Sequence, residues 1–321
     1  MRNRLSSCLL AALGAALAVI PVTPVAARAD YRSEKTLKLA PGGRLVMDLS
    51  VGSVTLNGSA ESGGRIEITS NRDDFEDLFN IELEDGAGEA RLTVRKKGSF
   101  RWPNHLWAHF DVRVPAETSV DVKTSGGGVE VAHLRRDADL DTSGGSIKVE
   151  QLAASLRAHT SGGSITLRDV TGSSRLDTSG GGIEGDSLSG TLEARTSGGS
   201  IRLDKVTGDL LAHTSGGSIR IDDAGGKVDA RTSGGSVEVG FAKGNSRGGD
   251  VETSGGGVEV SLDRGVNLDL EASASPGSVT SDLPIQVSGA ISKSHVNGKI
   301  GSGGEMLRLH SDGGPIRIES R

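Results

Sequence analysis

One tetrapeptide, Thr-Ser-Gly-Gly, recurs with a fixed period and limits what this chain can fold into. Followed by Ser or Gly and then Ile or Val, it begins at Thr124, Thr142, Thr160, Thr178, Thr196, Thr214 and Thr232, eighteen residues apart each time. An eighth copy begins at Thr253, after a three-residue insertion near 244–249. Self-similarity at a fixed period marks an array in which each repeat buries its apolar face only against its neighbours. Five residues after each Thr stands a β-branched residue: Val129, Ile147, Ile165, Ile183, Ile201, Ile219, Val237 and Val258. Two further on come Val131, Val149, Leu167, Gly185, Leu203, Ile221, Val239 and Val260. A period of two describes a strand with one buried face, which β-branched side chains suit.

Each copy holds a second alternating run, as at Leu156 and Ala158, Leu192 and Ala194, Leu210 and Ala212, and Val228 and Ala230. The eighteen-mer is thus two nine-residue halves. It predicts an all-β, parallel β-solenoid (β-helix) with about one coil per eighteen residues and two strands per coil. Glycine is expected to supply the positive-φ conformations of the tight turns. Coils one strand spacing apart, about 4.8 Å, give a span of roughly 35–40 Å for the eight copies. Stacking also explains how a chain with only 2% aromatic residues and 48 glycines can build a core.

The nine-residue unit reaches past the clean repeats, at Gly43-Arg44-Leu45, Gly52-Ser53-Val54 and Gly64-Arg65-Ile66, and again at Gly277-Ser278-Val279, Gly298-Lys299-Ile300 and Gly314-Pro315-Ile316. The expected organisation is an export signal over 1–29, an N-terminal β region over 30–115 with a non-repeat excursion at 71–110 acting as a cap, regular repeats over 116–287, and C-terminal strands continuing the solenoid over 288–321. Arg2 and Arg4 precede an apolar run from Leu9 to Ile20, and Ala27 and Ala29 set a small-x-small cleavage site. The run is shorter than the roughly 20 residues that span a bilayer. Cleavage would remove Cys8, the only cysteine, and Arg2, Arg4 and Arg28, so 33 basic residues against 42 acidic leave −9. An acidic chain does not suit nucleic acid. No later segment reads as a membrane span, and the expected location is periplasmic, cell-surface or extracellular.

Several chemistries are unsupported. The G-G-x-G-x-D pattern of calcium-binding β-rolls is missing, because an aliphatic residue stands where the motif needs Asp or Gly. A polysaccharide-cleaving β-helix needs an acid and a base a defined distance apart. The repeats offer only the pair Asp222-Asp223, the spaced Asp137, Asp139 and Asp141, and a column of Asp186, Asp204 and Asp222, which Arg202 and Arg220 are expected to neutralise. The position before each Thr carries Lys123, Asp141, His159, Asp177, Arg195, His213, Arg231 and Glu252, an alternation expected to fix coil register. No catalytic residue, cofactor or metal ligand is assigned.

The segment that breaks the pattern gathers Phe100, Trp102, Trp107 and Phe110, with His105 and His109 among them and Phe75 and Phe79 upstream. Clustered aromatics serve either as partner contacts or as a cap over an exposed solenoid end.

The Thr-Ser-Gly-Gly-Ser-Ile units, the run Leu268-Asp269-Leu270-Glu271-Ala272 with Gly277-Ser278-Val279-Thr280-Ser281-Asp282-Leu283-Pro284-Ile285, and the ending Gly313-Gly314-Pro315-Ile316-Arg317-Ile318 resemble the bacterial putative-adhesin β-strand-repeat family. The resemblance covers about residues 40–321 and implies a β-solenoid in an envelope or surface setting, with no functional residues to carry over. The expected role is a non-enzymatic, adhesin-like binding or scaffold protein, secreted or envelope-associated, with an envelope glycan or another envelope protein as partner. The alternatives are a polysaccharide-active β-helix enzyme and an envelope sensory or regulatory protein acting through a membrane partner.

Overall fold

A computed structural model describes residues 31–98, 105–287 and 292–321. The expected signal segment and the aromatics Phe100 and Trp102 lie outside the described residues. The described residues form two long sheets, of 14 and 15 strands, and one helix, Phe75–Leu78. Sheet I collects the strands that begin with the β-branched residue, such as Ile147–Leu152 and Ile165–Thr171. Sheet II collects those that end on the repeat threonine, such as Ala138–Thr142 and Leu156–Thr160. Each eighteen-mer contributes one strand to each sheet, and successive coils pair in parallel in strict register: Ile147 with Ile165, Ile165 with Ile183, Thr142 with Thr160. The parallel β-solenoid follows directly from the period.

The buried threonines form a hydrogen-bonded spine. Thr160 Oγ1 donates to the Gly145 carbonyl of the previous coil (2.8 Å) and accepts the N–H of Gly163 in its own turn (3.2 Å). The same pair of bonds recurs at Thr142, Thr178, Thr196, Thr214, Thr232 and Thr253. A hydroxyl is needed because both backbone groups face the interior, where an unpaired one costs about 1–3 kcal/mol. Serine fills the same role at Ser311, donating to Gly256.

The expectation for the glycines holds at one corner and not at the other. Gly172, Gly190 and Gly244 have positive φ, but those of the Thr-Ser-Gly-Gly turn do not. There the second glycine is required by close approach: a Cβ on Gly163 would lie 2.1 Å from the Gly145 oxygen, whereas one on Gly162 would meet nothing nearer than 3.6 Å. Positive φ also falls on non-glycine residues, His133, Gln151, Asp169, Ser187, Lys205 and Asp223, with φ between 53° and 61°. Pairing skips this position, passing from Glu150–Arg168 to Leu152–Val170. The backbone bulges in both strands together, with no change of register, and turns the sheet I strand before its last buried residue, at about 1 kcal/mol of strain per non-glycine.

The ends are not built in chain order. The coil of Arg44–Leu49 and Ser53–Ser59 sits between the coil of Ser119–Thr124 and Val129–Leu134 and an outer layer made by Glu89–Lys96 and Ala108–Pro115. At the other end Glu305–Ser311 and Ile316–Ser320 slot between Gly249–Thr253 and Val258–Leu262 on one side and Leu268–Ala274 and Val279–Ser281 on the other. Antiparallel strands then finish each end: Tyr31–Leu37 beside Gly64–Ser70, Phe79–Asp85 beside Glu89–Lys96, and Ile285–Val287 beside His295–Ile300. The described part of 71–110 covers the N-terminal end as strands of the two sheets, with the buried Phe75 stacked between Tyr31 (centroids 5.3 Å apart) and the buried Phe79 (4.8 Å).

Candidate functional site

The aromatic segment splits on inspection. Phe110 lies in Ala108–Pro115, pairs with Val54 on one side and Ile68 on the other, and is fully buried. Its ring fills the space that the missing Cβ of Gly52 leaves open. Phe110 therefore offers no ring surface to a partner, which corrects the contact reading of that residue: strand alternation turns it inward. Trp107 is 37% exposed; its N–H donates to Asn71 Oδ1 (3.0 Å) and its carbonyl accepts Ser70 Oγ (2.8 Å). His105 accepts from Asn71 Nδ2 through its carbonyl, and His109 Nδ1 is 2.9 Å from Ser53 Oγ. No contact surface joins Trp107 to Phe110.

The acidic column stacks as its spacing requires, Asp186 beside Asp204 and Asp204 beside Asp222. Its neutralisation differs from expectation. Lys205, at a positive-φ corner, places Nζ 3.2 Å from Asp186 and 2.8 Å from Asp204. This contact holds the Asp186 carboxyl below the usual carboxylate range, and Asp204 followed by Asp186 raises the Lys205 ammonium. Arg220 pairs with Asp222 and Glu238, while Arg202 turns to Glu184. The lysine was missed because the bulge that swings it over the column has no glycine to announce it. Among the described residues no group of three or more His, Cys, Asp or Glu is placed to hold a metal ion.

The charge alternation before each threonine also appears in register: Lys123, Asp141, His159, Asp177, Arg195, His213, Arg231 and Glu252 form one continuous row. Direct ion pairs link this row to the one two residues earlier, Arg175 with Asp177, Arg195 with Glu193 and Arg231 with Asp229, and others run along a row from coil to coil, Arg175 with Glu193 and Arg231 with Glu252. His213 Nε2 lies 3.0 Å from Asp229.

A groove of about 710 Å³ runs along sheet II. One wall is the turn column Arg44, Ser119, Asp137, Ser155, Ser173 and Thr191; the other is the outward column Asp121, Asp139, Arg157, Arg175 and Glu193. Val120, Ala138, Leu156 and Ser174 lie between them with their side chains buried toward the core. The charged residues are paired among themselves, Arg44 with Asp121, Arg157 with Asp139 and Arg175 with Glu193. On the turn wall the hydroxyls of Ser155, Ser173 and Thr191 are exposed and make no hydrogen bond among the described residues. The groove stops where Leu211 replaces the charged residue beside Glu193. A second groove of about 750 Å³ follows the bulged corner past His133, Gln151 and Asp169, and a smaller one of about 410 Å³ runs past His159, Arg195 and His213. Among the described residues no helix is long and apolar enough to cross a membrane.

The chain belongs to the Toastrack DUF4097 family, whose pattern matches residues 50–319. No curated protein matches it significantly. Among solved structures it is similar to a protein described as a putative adhesin from Bacteroides fragilis, with 12% identity, 91% of this chain and 97% of that chain covered, and a TM-score of 0.42. It is also similar to a putative lipid binding protein from Parabacteroides distasonis, at 11% identity, 89% and 96% coverage and TM-score 0.43. A putative adhesin from the same organism shows 14% identity, 91% and 97% coverage and TM-score 0.35.

Proposed function

We propose that this Toastrack DUF4097 protein is a non-enzymatic, adhesin-like binding or scaffold protein of the bacterial envelope, exported to the periplasm, the cell surface or beyond, and that its partner is an envelope glycan or another envelope protein. The observation that carries the reading is the ruled outer surface. Charged and hydroxyl side chains repeat at the strand spacing, about 4.8 Å, over many coils of a rigid body. An extended partner can meet the same contact again and again on such a face, so weak individual contacts add along its length.

The outward Asp and Glu are largely engaged in cross-coil ion pairs, which makes them structural and available to hydrogen-bond a partner as acceptors.

The test uses the chain from Asp30 to Arg321, incubated with envelope fractions and with a panel of envelope and plant polysaccharides. Retention on a glycan or a purified envelope protein, without release of reducing ends, is the expected result. Release of reducing ends would make the protein an enzyme and overturn the proposal.

A further inference from the structure

The geometry points to the sheet II groove between Ser173 and Arg175 as a binding site for a neutral, linear polysaccharide lying along the solenoid axis. This rests on the binding role proposed above and names its site and ligand class. Three features of the groove converge on that class.

The first is spacing. The groove runs over six consecutive strands, from Arg44 to Glu193, or about 24 Å at one strand spacing per step. A polypeptide laid along the axis rises about 3.3 Å per residue and drifts out of phase with a ladder of about 4.8 Å. An equatorially 1,4-linked sugar chain advances by nearly one ladder step per sugar; successive rings turn over, and since both walls carry donors and acceptors, either edge of a ring finds partners at each coil.

The second is the chemistry of the walls. The free hydroxyls of Ser155, Ser173 and Thr191 can each donate and accept. Facing them, Arg157 and Arg175 present guanidinium donors, and Asp139 and Glu193 present acceptors, already oriented by their mutual ion pairs. A ligand carrying hydroxyls on both edges satisfies both walls.

The third is charge. The groove counts three arginines against four carboxylates, Asp121, Asp137, Asp139 and Glu193. That balance disfavours nucleic acid and polyuronate.

The experiment is calorimetric titration of the mature chain with cello-, xylo- and manno-oligosaccharides of increasing length, with oligogalacturonate as the anionic counterpart. Affinity is expected to rise with each added sugar until the ligand spans the groove and then to level off, and oligogalacturonate is expected to bind at least tenfold more weakly. Ser173→Tyr, which fills the groove from an exposed turn position, should weaken binding at least tenfold with unchanged melting. Should that variant fold poorly, the double variant R157A/R175A should give a tenfold loss, about 1.4 kcal/mol, without touching the core. Binding undiminished in folded groove variants would overturn the groove while leaving the binding role standing. Absence of binding to every neutral oligosaccharide by a protein that is retained on envelope fractions would overturn the ligand class alone. Failure of both would overturn the binding role itself.

Discussion

Replacing Gly163 by Ala tests the stacking of the coils at its tightest point. The new Cβ would sit 2.1 Å from the Gly145 oxygen and 2.4 Å from its carbonyl carbon. Both are backbone atoms, so no side chain can swing away. An ordinary contact needs at least 3.4 Å, so the two turns must part by more than 1 Å. Three cross-coil bonds span that gap: Gly162 N–H to Ser143 (3.1 Å), Ser161 N–H to Thr142 (3.3 Å) and Thr160 Oγ1 to Gly145 (2.8 Å). At about 1 kcal/mol net each, their loss costs about 3 kcal/mol, with more for any group left buried and unpaired. Gly162→Ala is the control. Its Cβ meets nothing closer than 3.6 Å and its φ is not positive, so only the entropy of the unfolded chain changes, for a gain of about 0.4–1 kcal/mol. Urea unfolding followed by far-UV circular dichroism should therefore separate two adjacent Gly→Ala variants by about 3–4 kcal/mol, combining those two figures. Stabilities within about 0.5 kcal/mol of each other, the scatter of ordinary surface substitutions, would refute the close approach.

The threonine spine gives a second contrast: Thr196→Val loses its bonds to Gly181 and Gly199 and should cost about 2–4 kcal/mol, while Thr196→Ser keeps both and should cost about 1 kcal/mol for one methyl, as read by the same unfolding assay. Lys205→Gln should lower the melting temperature at neutral pH and in low salt. Asp186 has its folded pKa depressed, so its contribution is present above the ordinary carboxylate pKa and lost as pH falls through the folded value; Lys205 has its own raised, so its contribution fades only in alkali, and the difference between variant and wild type should vanish in acid. Phe110→Ala should cost about 3–5 kcal/mol, whereas Trp107→Ala, at a part-exposed site, should cost less than half as much; equal losses in thermal melts would contradict the assignment of Phe110 to the core. Amide hydrogen exchange should protect Arg44–Leu49 and Glu305–Ser311 as strongly as central strands such as Leu192–Thr196, since each is bonded on both sides; fast exchange there would contradict the intercalated order.

The middle of the molecule was legible because one local rule repeats. Once Ile147, Ile165 and Ile183 share a phase, every strand has one buried face and one neighbour on each side, and the charged column beside the threonines follows by arithmetic. What the sequence did not announce depends on choices between equivalent partners. Val54 and Leu56 present the same β-branched and aliphatic edge as Val129 and Val131, so nothing in their identity says whether Ala108–Pro115 or Gly64–Ser70 lies on their far side. The same holds for Ile316 and Ile318, which pair with Val258 and Val260 as naturally as another repeat would. The left-handed corner was hidden for a different reason. His133, Gln151 and Lys205 occupy a conformation usually signalled by glycine or asparagine, and only the packing of the next buried residue, Leu134, Leu152 or Val206, holds them there.

The intercalated ends bear on how such a body keeps its length. In a simple solenoid the last coil is bonded on one face, and it frays as a free tail. Here the coils 44–59 and 305–320 are gripped from both sides, and of the outer strands Glu89–Lys96, Ala108–Pro115 and Leu268–Ala274 each have chain on either side of them, while Tyr31–Leu37 is held on one side only. Beyond that edge strand, fraying must open a loop or pull a coil out from between two neighbours, and the second breaks twice the pairing that a tail would. The strands left at the edges are antiparallel or only three residues long, and Arg32 and Glu34 point outward from the first of them. Charge, shortness and reversed direction each discourage the addition of another parallel coil. The ruled sheet II face, with its groove from Arg44 to Glu193, is thus a surface of fixed length whose first rung, Arg44, belongs to one of the locked coils; a ligand along the groove would bridge that coil to the regular repeats and resist its withdrawal.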